Sequence, residues 1–200
     1  AALSHDLRTP MTRIKLRSQF IEDQELQHKT IQDLDEMEAM IAETLAFAKQ
    51  DNHTEKTATI NLPDLLDDIS TSFRELGYQI HLHVAREKML IQGRPVGLRR
   101  ALNNLIENAV NYGKNIYISL DKKQNHAIVR ILDDGPGIAE EHINKVFEPF
   151  YRGEQSRSRR TGGTGLGLAV VRDVIRNHGG SIQLNNHTPQ GLEVILKLPF

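Results

Sequence analysis

The sequence predicts an α+β protein in two parts. A helical hairpin comes first, its apolar surface completed by a second copy in a four-helix bundle, and an α/β sandwich with helices on one face of a mixed sheet follows. Three observations lead there. The first fifty residues contain no Gly and one Pro, Pro10, and carry two stretches of helical periodicity. Asp51 to Thr57 (D-N-H-T-E-K-T) is a polar break. After it, short β-rich runs alternate with amphipathic helical ones.

In the first part, Leu7, Met11, Ile14 and Ile21 fall near heptad spacing, as do Leu34, Ile41, Leu45 and Ala48, with Glu38 interrupting the second row. The polar stretch Glu22 to His28 reads as the turn of an antiparallel hairpin. Each stripe is wide enough for more than one neighbour, so a homodimer through the hairpin is expected. This part occupies 1–52. The second, 57–200, is expected to hold strands at Ala58–Asn61, Gln79–Val84, Met89–Gln92, Asn115–Leu120, Ala127–Leu132, Ser181–Asn185 and Glu193–Leu198. Helices are expected at Leu62–Glu75, Val96–Tyr112 and Gly165–Asn177.

Composition narrows the function classes. A hydrophobic content of 38% and a charged content of 26% belong to a globular chain. A net charge of -1 supplies no basic field for nucleic acid, so no direct nucleic-acid partner is expected. The lack of Cys removes thiol chemistry and suits a reducing compartment. No apolar run approaches the roughly 18 residues that span a bilayer. The opening Ala1-Ala2-Leu3 has neither Met nor signal, and reads as part of something longer.

The chemistry begins at Ser4-His5-Asp6-Leu7-Arg8-Thr9-Pro10. On a helix His5, Arg8, Thr9 and Thr12 share a face roughly opposite the Leu7-Met11-Ile14 stripe, which points His5 to solvent. Neutral imidazole is a nucleophile near pH 7, and Asp6 beside it can take the ring proton. Taken alone, His5 also reads as an ordinary surface histidine.

Three further motifs follow in order. Asn104-Leu-Ile-Glu-Asn108-Ala-Val-Asn111-Tyr112 puts three carboxamides on one helix face, where their oxygens could hold Mg²⁺ with its waters and bound phosphates. Asp133-Asp134-Gly135-Pro136-Gly137-Ile138 follows a strand; Asp133 can accept from the exocyclic amine of adenine, and the glycines let backbone approach the base. Gly162-Gly163-Thr164-Gly165-Leu166-Gly167-Leu168 opens a helix and offers backbone amides to phosphates. Each has a plain alternative, as polar helix face, turn or glycine loop. Between the last two motifs, Ala139 to Thr161 is long enough to be a lid, with Phe147 and Phe150 as anchors and Arg152, Arg157, Arg159 and Arg160 as phosphate clamps. His81-x-His83 places two imidazoles on one strand face as a weak metal candidate.

In this order, S-H-D-L-R-T-P, N-L-I-E-N, D-D-G-P-G, F-E-P-F-Y-R and G-T-G-L-G-L resemble the sensor histidine kinases of bacterial two-component systems across essentially the whole chain, and the osmosensor kinases among them most closely. The resemblance implies a dimerising phosphotransfer hairpin followed by a Bergerat-type ATP-binding sandwich. It implies ATP and Mg²⁺, His5 as phosphoacceptor, Asp6 as base, and Thr9 in dephosphorylating a response regulator. Asn108 is then the metal ligand with Asn104 nearby, Asp133 reads adenine, and Gly135 and Gly137 shape the base pocket that Tyr112 lines.

Asn111 stands where many relatives carry Arg or Lys, so phosphate contacts are expected from Lys114 or Arg152. Ile138, Tyr151, Gly163, Thr164, Gly165, Leu166, Gly167 and Leu168 complete the expected nucleotide set. The resemblance also implies a partner regulator that binds DNA and a parent protein in the bacterial inner membrane, with this part on the cytoplasmic side. A hydrolytic ATPase of the gyrase and chaperone type would place a Glu at position 104 to activate water, which Asn104 cannot do. An ATP-regulated scaffold or phosphatase-only protein that docks the regulator without phosphorylating itself would be expected to lose nucleotide-binding residues, and the intact Asn108, Asp133 and glycine motifs argue against it.

Overall fold

The computed structural model describes residues 2–48, 55–84, 87–152 and 164–200; within the hairpin it describes side chains for 9–35, 37, 38, 41 and 44. Two helices, α1 (Ala2–Ser18) and α2 (Gln24–Ala48), form the hairpin. Its turn is earlier and tighter than expected, and Gln24 to His28 are already helical. The cause is Asp23, whose Oδ1 accepts the backbone N–H groups of Glu25 (2.9 Å) and Leu26 (3.0 Å), satisfying first-turn donors that polar composition alone does not reveal. Gln27 Nε2 donates to the carbonyl of Gln19 at 3.0 Å and closes the turn.

Met11 and Leu34 are buried between the helices. Ile14, expected on the same stripe, is 48% exposed, and Leu16, Phe20, Leu26 and Met37 are exposed with it. One neighbouring helix covers only part of an apolar face this wide. Leu45 and Ala48 have side chains outside the described set, as does Leu7.

The second part begins with β1 (Ala58–Asn61) and α3 (Leu62–Glu75), followed by β2 (Gln79–Val84), β3 (Leu90–Gly93) and α4 (Pro95–Tyr112). A hairpin of β4 (Asn115–Lys123) and β5 (His126–Asp133) leads to a short helix, α5 (Glu140–Ile143), and a 3₁₀ turn at Lys145–Phe147. Then come α6 (Gly167–Asn177), β6 (Ser181–Asn186) and β7 (Leu192–Pro199). The sheet order is β2-β4-β5-β7-β6, with β2 parallel to β4 and the other pairs antiparallel. The expected mixed sheet is therefore present. β1 and β3 do not join it; they pair with each other as a separate antiparallel ribbon. β3 starts one residue later than expected, because the Met89 N–H donates to the Asn61 side chain and its carbonyl accepts from Leu62.

Helices α3, α4 and α6 cover one face of the sheet. On α4, Leu98, Ala101, Leu102, Leu105, Ile106 and Ala109 recur at helical spacing and are all buried. They meet Ile116, Ile118, Leu120, Val129 and Ile131, the inward residues of β4 and β5. The alternate residues Tyr117 and Ser119 point out, where His81 stacks on Tyr117 at 4.8 Å between ring centroids. That stacking occupies one imidazole of the metal candidate, and among the described residues no cluster of three metal-ligating side chains occurs.

Leu102 is fully buried at the centre of this core. Leu102→Ala is expected to lower unfolding free energy by about 2–5 kcal/mol in urea titration, through lost burial and a residual cavity.

Candidate active site

The inward stripe of α4 fixes the helix's rotation, and Asn104, Asn108 and Asn111 lie on the neighbouring stripe. That stripe lines a cleft of about 830 Å³, bounded by α4, the loop after β5, α5 and the start of α6. Of the residues expected to hold nucleotide, Asn104, Asn108, Asn111, Tyr112, Asp133, Gly137, Ile138, Tyr151, Arg152, Thr164, Gly165, Gly167 and Leu168 all line it.

Asp133 ends β5, paired with Ile116 on one side and Leu192 on the other. It is 5% exposed, and its Oδ1 accepts the N–H of Gly135 at 2.8 Å and of Leu192 at 3.4 Å. Burial pushes its carboxyl above the usual range, and these two donors offset part of that. Asp134 faces the opposite environment. Its Oδ1 accepts the N–H of Lys114 (2.6 Å) and Asn115 (3.0 Å), and its Oδ2 accepts Asn115 Nδ2 (2.7 Å). The Asn115 side chain and these amides bring its pKa down to about 2. Adjacent carboxyls are thus driven in opposite directions, one forming the cleft floor and one tying β5 to the end of α4.

Gly137 has φ +75°, and a Cβ there would lie 2.5 Å from Asn186 Oδ1. Asn186 is the clamp of this loop: its Oδ1 accepts the Ile138 N–H at 2.8 Å while its Nδ2 donates to the Ile138 carbonyl at 2.7 Å. Gln190 Nε2 donates to the Asp134 carbonyl at 2.9 Å. The far wall is pinned at Gly165, φ +74°, whose carbonyl accepts the Phe150 N–H at 3.0 Å; a Cβ there would lie 2.8 Å from the Phe150 carbonyl carbon. This left-handed glycine cannot continue a helix, which is why α6 starts at Gly167 and not at the expected Gly165. Beside the pin, the Tyr151 hydroxyl sits 2.7 Å from His142 Nδ1, both residues on the cleft wall.

Three expected residues are placed elsewhere. Lys114 is exposed and off the cleft, held by its backbone against Asp134, which leaves Arg152 as the expected phosphate contact that does line it. Leu166 is fully buried, its N–H donating to Thr164 Oγ1 at 3.2 Å, because the residue ahead of α6 packs inward as the chain enters the helix. Gly135 is buried behind the cleft, its N–H turned to Asp133.

Gly163 lies outside the described residues, as do Arg157, Arg159 and Arg160 of the lid. His5 and Asp6 are on the helical backbone of α1, with side chains outside the described set. Thr9, one turn on, is exposed. Sequence reasoning missed Asn186, which comes 48 residues after Ile138 with no motif around it, and His142, on a helix too short for a periodic signal.

The chemistry of the donor set fits Mg²⁺ bound together with phosphates. Three neutral carboxamides line the cleft, and among the described residues no group of three metal-ligating side chains forms a cage that would hold a cation alone.

Comparison with known proteins bears on the same residues. The family model for histidine kinase-, DNA gyrase B- and HSP90-like ATPases matches 93–200, and that for the His Kinase A (phospho-acceptor) domain matches 1–53. The chain belongs to the histidine kinase-, DNA gyrase B- and HSP90-like ATPase family. The phospho-acceptor domain match lies ahead of that family's match in the chain. The chain is 37% identical to the sensor histidine kinase GtrS of Pseudomonas aeruginosa, over 100% of the chain and 41% of that protein.

The solved histidine kinase domain of the E. coli osmosensor EnvZ aligns with 70% of the chain and 87% of its own length at 32% identity, TM-score 0.57. Full-length ShkA in complex with AMPPNP shares the fold over 100% of the chain and 45% of its own length, at 23% identity and TM-score 0.77. The chain thus spans less than half the length of the curated relative it matches.

The two carboxyls predict distinct acid behaviour. Asp134, lowered from 3.8 to about 2, contributes stability that is complete above pH 3.8 and is lost as pH falls toward 2. Asp133, raised, works the other way: its contribution is present at low pH and is lost as pH rises through its elevated pKa. Asp134→Asn is therefore expected to flatten the acid limb of the stability curve between pH 3.8 and 2, as followed by circular dichroism in urea.

Proposed function

We propose that this chain transfers the γ-phosphoryl group of ATP to His5 and passes it to an aspartate of a response regulator. The observation that carries the reading is the cleft itself, with three carboxamides on one wall and a buried aspartate on its floor, in a chain whose first 53 residues match a phospho-acceptor domain. We divide the chain into a phosphotransfer hairpin at 1–52 and a catalytic domain at 57–200.

Asp133 accepts from the exocyclic amine of adenine, while Ile138 and Tyr112 flank the base. Asn104, Asn108, Asn111, Arg152, Thr164 and Gly167 face the phosphates. Asn108 would hold Mg²⁺, which would supply charge neutralisation at the phosphates. A ring nitrogen of His5 forms a bond to the γ-phosphorus as the bond from that phosphorus to the β,γ-bridging oxygen breaks and ADP leaves; Asp6 takes the proton from the other ring nitrogen. The phosphoryl group then moves to the regulator's carboxylate, and His5 is restored. Thr9 positions water for the reverse traffic, removal of phosphate from the regulator.

The exposed Ile14, Leu16, Phe20, Leu26 and Met37 support a second hairpin as neighbour, and hence a homodimer. Among the described residues no helix is long and apolar enough to cross a membrane. In this reading the chain is the cytoplasmic portion of an inner-membrane sensor, acting on a DNA-binding regulator without touching DNA itself.

With γ-labelled ATP and Mg²⁺, the wild type is expected to acquire acid-labile, base-stable label and His5→Gln none; label on both would remove His5 from the mechanism. Asn108→Ala is expected to abolish labelling while the dimer, followed by light scattering, persists. Thr9→Ala is expected to label normally and to lose most dephosphorylation of the regulator, measured as decay of its labelled aspartate.

A further inference from the structure

Helix α4 opens without a cap of its own. Its N-cap residue is Arg94, a side chain with donors and no acceptor, and no side-chain cap bond forms there. The first turn is nevertheless satisfied. Pro95 has no N–H to satisfy, and the Leu98 N–H donates to the Arg94 carbonyl at 3.0 Å. The two remaining donors, Val96 and Gly97, both bond to one carboxylate: Glu55 Oε1 at 2.6 Å and Oε2 at 3.2 Å. The Arg94 N–H itself donates to His178 Nε2 at 2.9 Å, and His178 Nδ1 donates to the Val174 carbonyl, so α6 braces the same point.

Glu55 belongs to the stretch that joins hairpin to catalytic domain, 41 residues before Val96. It is the last tie before β1 starts at Ala58, and α2 ends at Ala48. A carboxylate spanning two amides at a helix N-terminus is held by charge as well as by hydrogen bonds. We propose that Glu55 is a positioning residue for phosphoryl transfer: it fastens the interdomain connection to the helix that carries Asn104, Asn108 and Asn111, and so sets the point from which the catalytic domain is swung toward His5. The inference rests on the kinase reading above.

Without the tie, the catalytic domain's hold on the connection moves from Glu55 to the start of β1 at Ala58, and three more residues extend the reach by about 10 Å. A longer tether lowers the effective concentration of one joined part at the other. Nucleotide binding is not touched, because Asn104 lies more than two turns along α4 from the capped end.

The test uses the whole chain and three variants. Glu55→Ala removes tie and cap together; Arg94→Asp supplies a local cap; the double variant has the cap and lacks the tie. Glu55→Ala is expected to label His5 about twofold more slowly at saturating ATP with an unchanged KM, to unfold at a lower temperature, and to be cut several-fold faster by trypsin after the exposed Lys56. The double variant is expected to regain the unfolding midpoint and to keep both the slow labelling and the fast cleavage. Arg94→Asp alone, whose new carboxylate competes with Glu55 for the Val96 and Gly97 N–H groups, is expected to label as slowly as the double variant.

Recovery of the labelling rate together with stability in the double variant would reduce Glu55 to a helix cap and overturn the proposal. So would Glu55→Ala cut by trypsin at the wild-type rate. If the wild type takes no label, the kinase reading fails, and the cleavage comparison still decides whether Glu55 is the tie.

Discussion

The cleft depends on the rotational setting of α4. A helix repeats every 3.6 residues, so burying Leu98, Leu102, Leu105, Ile106 and Ala109 against β4 and β5 leaves Asn104, Asn108 and Asn111 no choice of direction. The apolar stripe supplies the free energy and the polar stripe inherits the geometry. The four Asn of α4, three of them on the cleft stripe, weaken the helix, since their side chains compete for backbone. The buried stripe carries that cost, which separates the residues that hold the helix from those that face the cleft.

The second constraint is the end of β5. Asp133 closes β5 and Asp134 follows it, and the two carboxyls meet different surroundings. One is buried with two backbone donors on a single oxygen, and the other gathers the Lys114–Asn115 corner. The outward carboxylate holds the corner at which α4 hands over to β4, which leaves its neighbour buried on the cleft floor. The loop beyond is then fastened by side-chain amides, Asn186 on Ile138 and Gln190 on Asp134.

How much of this was legible in sequence varies with the kind of force involved. Elements governed by burial were readable: α3 and β2 fall at the expected residues, and β4 and β5 differ by a few at their ends. The carboxamide stripe was readable for the same reason, being a fixed offset from an apolar one. Elements governed by single hydrogen bonds were not. The hairpin turn was displaced by one Asp23 side chain, and α6 was delayed by one left-handed glycine. The ribbon of β1 and β3 looked like two more strands of the main sheet because pattern reveals a strand and not its partner. Asn186 and Glu55 act at 48 and 41 residues' separation, through lone polar contacts with no periodicity to announce them.

One consequence follows from the material of which the cleft is made. Its polar wall and its loop clamp are asparagine amides, and these hydrolyse slowly to carboxylates on heating, which makes Asn a thermolabile residue. At position 186 that change would delete the N–H that Ile138's carbonyl now accepts and set a second oxygen against it. At 108 it would place a fixed negative charge in the cleft. Prolonged warmth therefore offers a route to inactivation that leaves the apolar core untouched. Such damage would be recorded as a gain of one mass unit and not as an unfolding transition, and refolding would not reverse it.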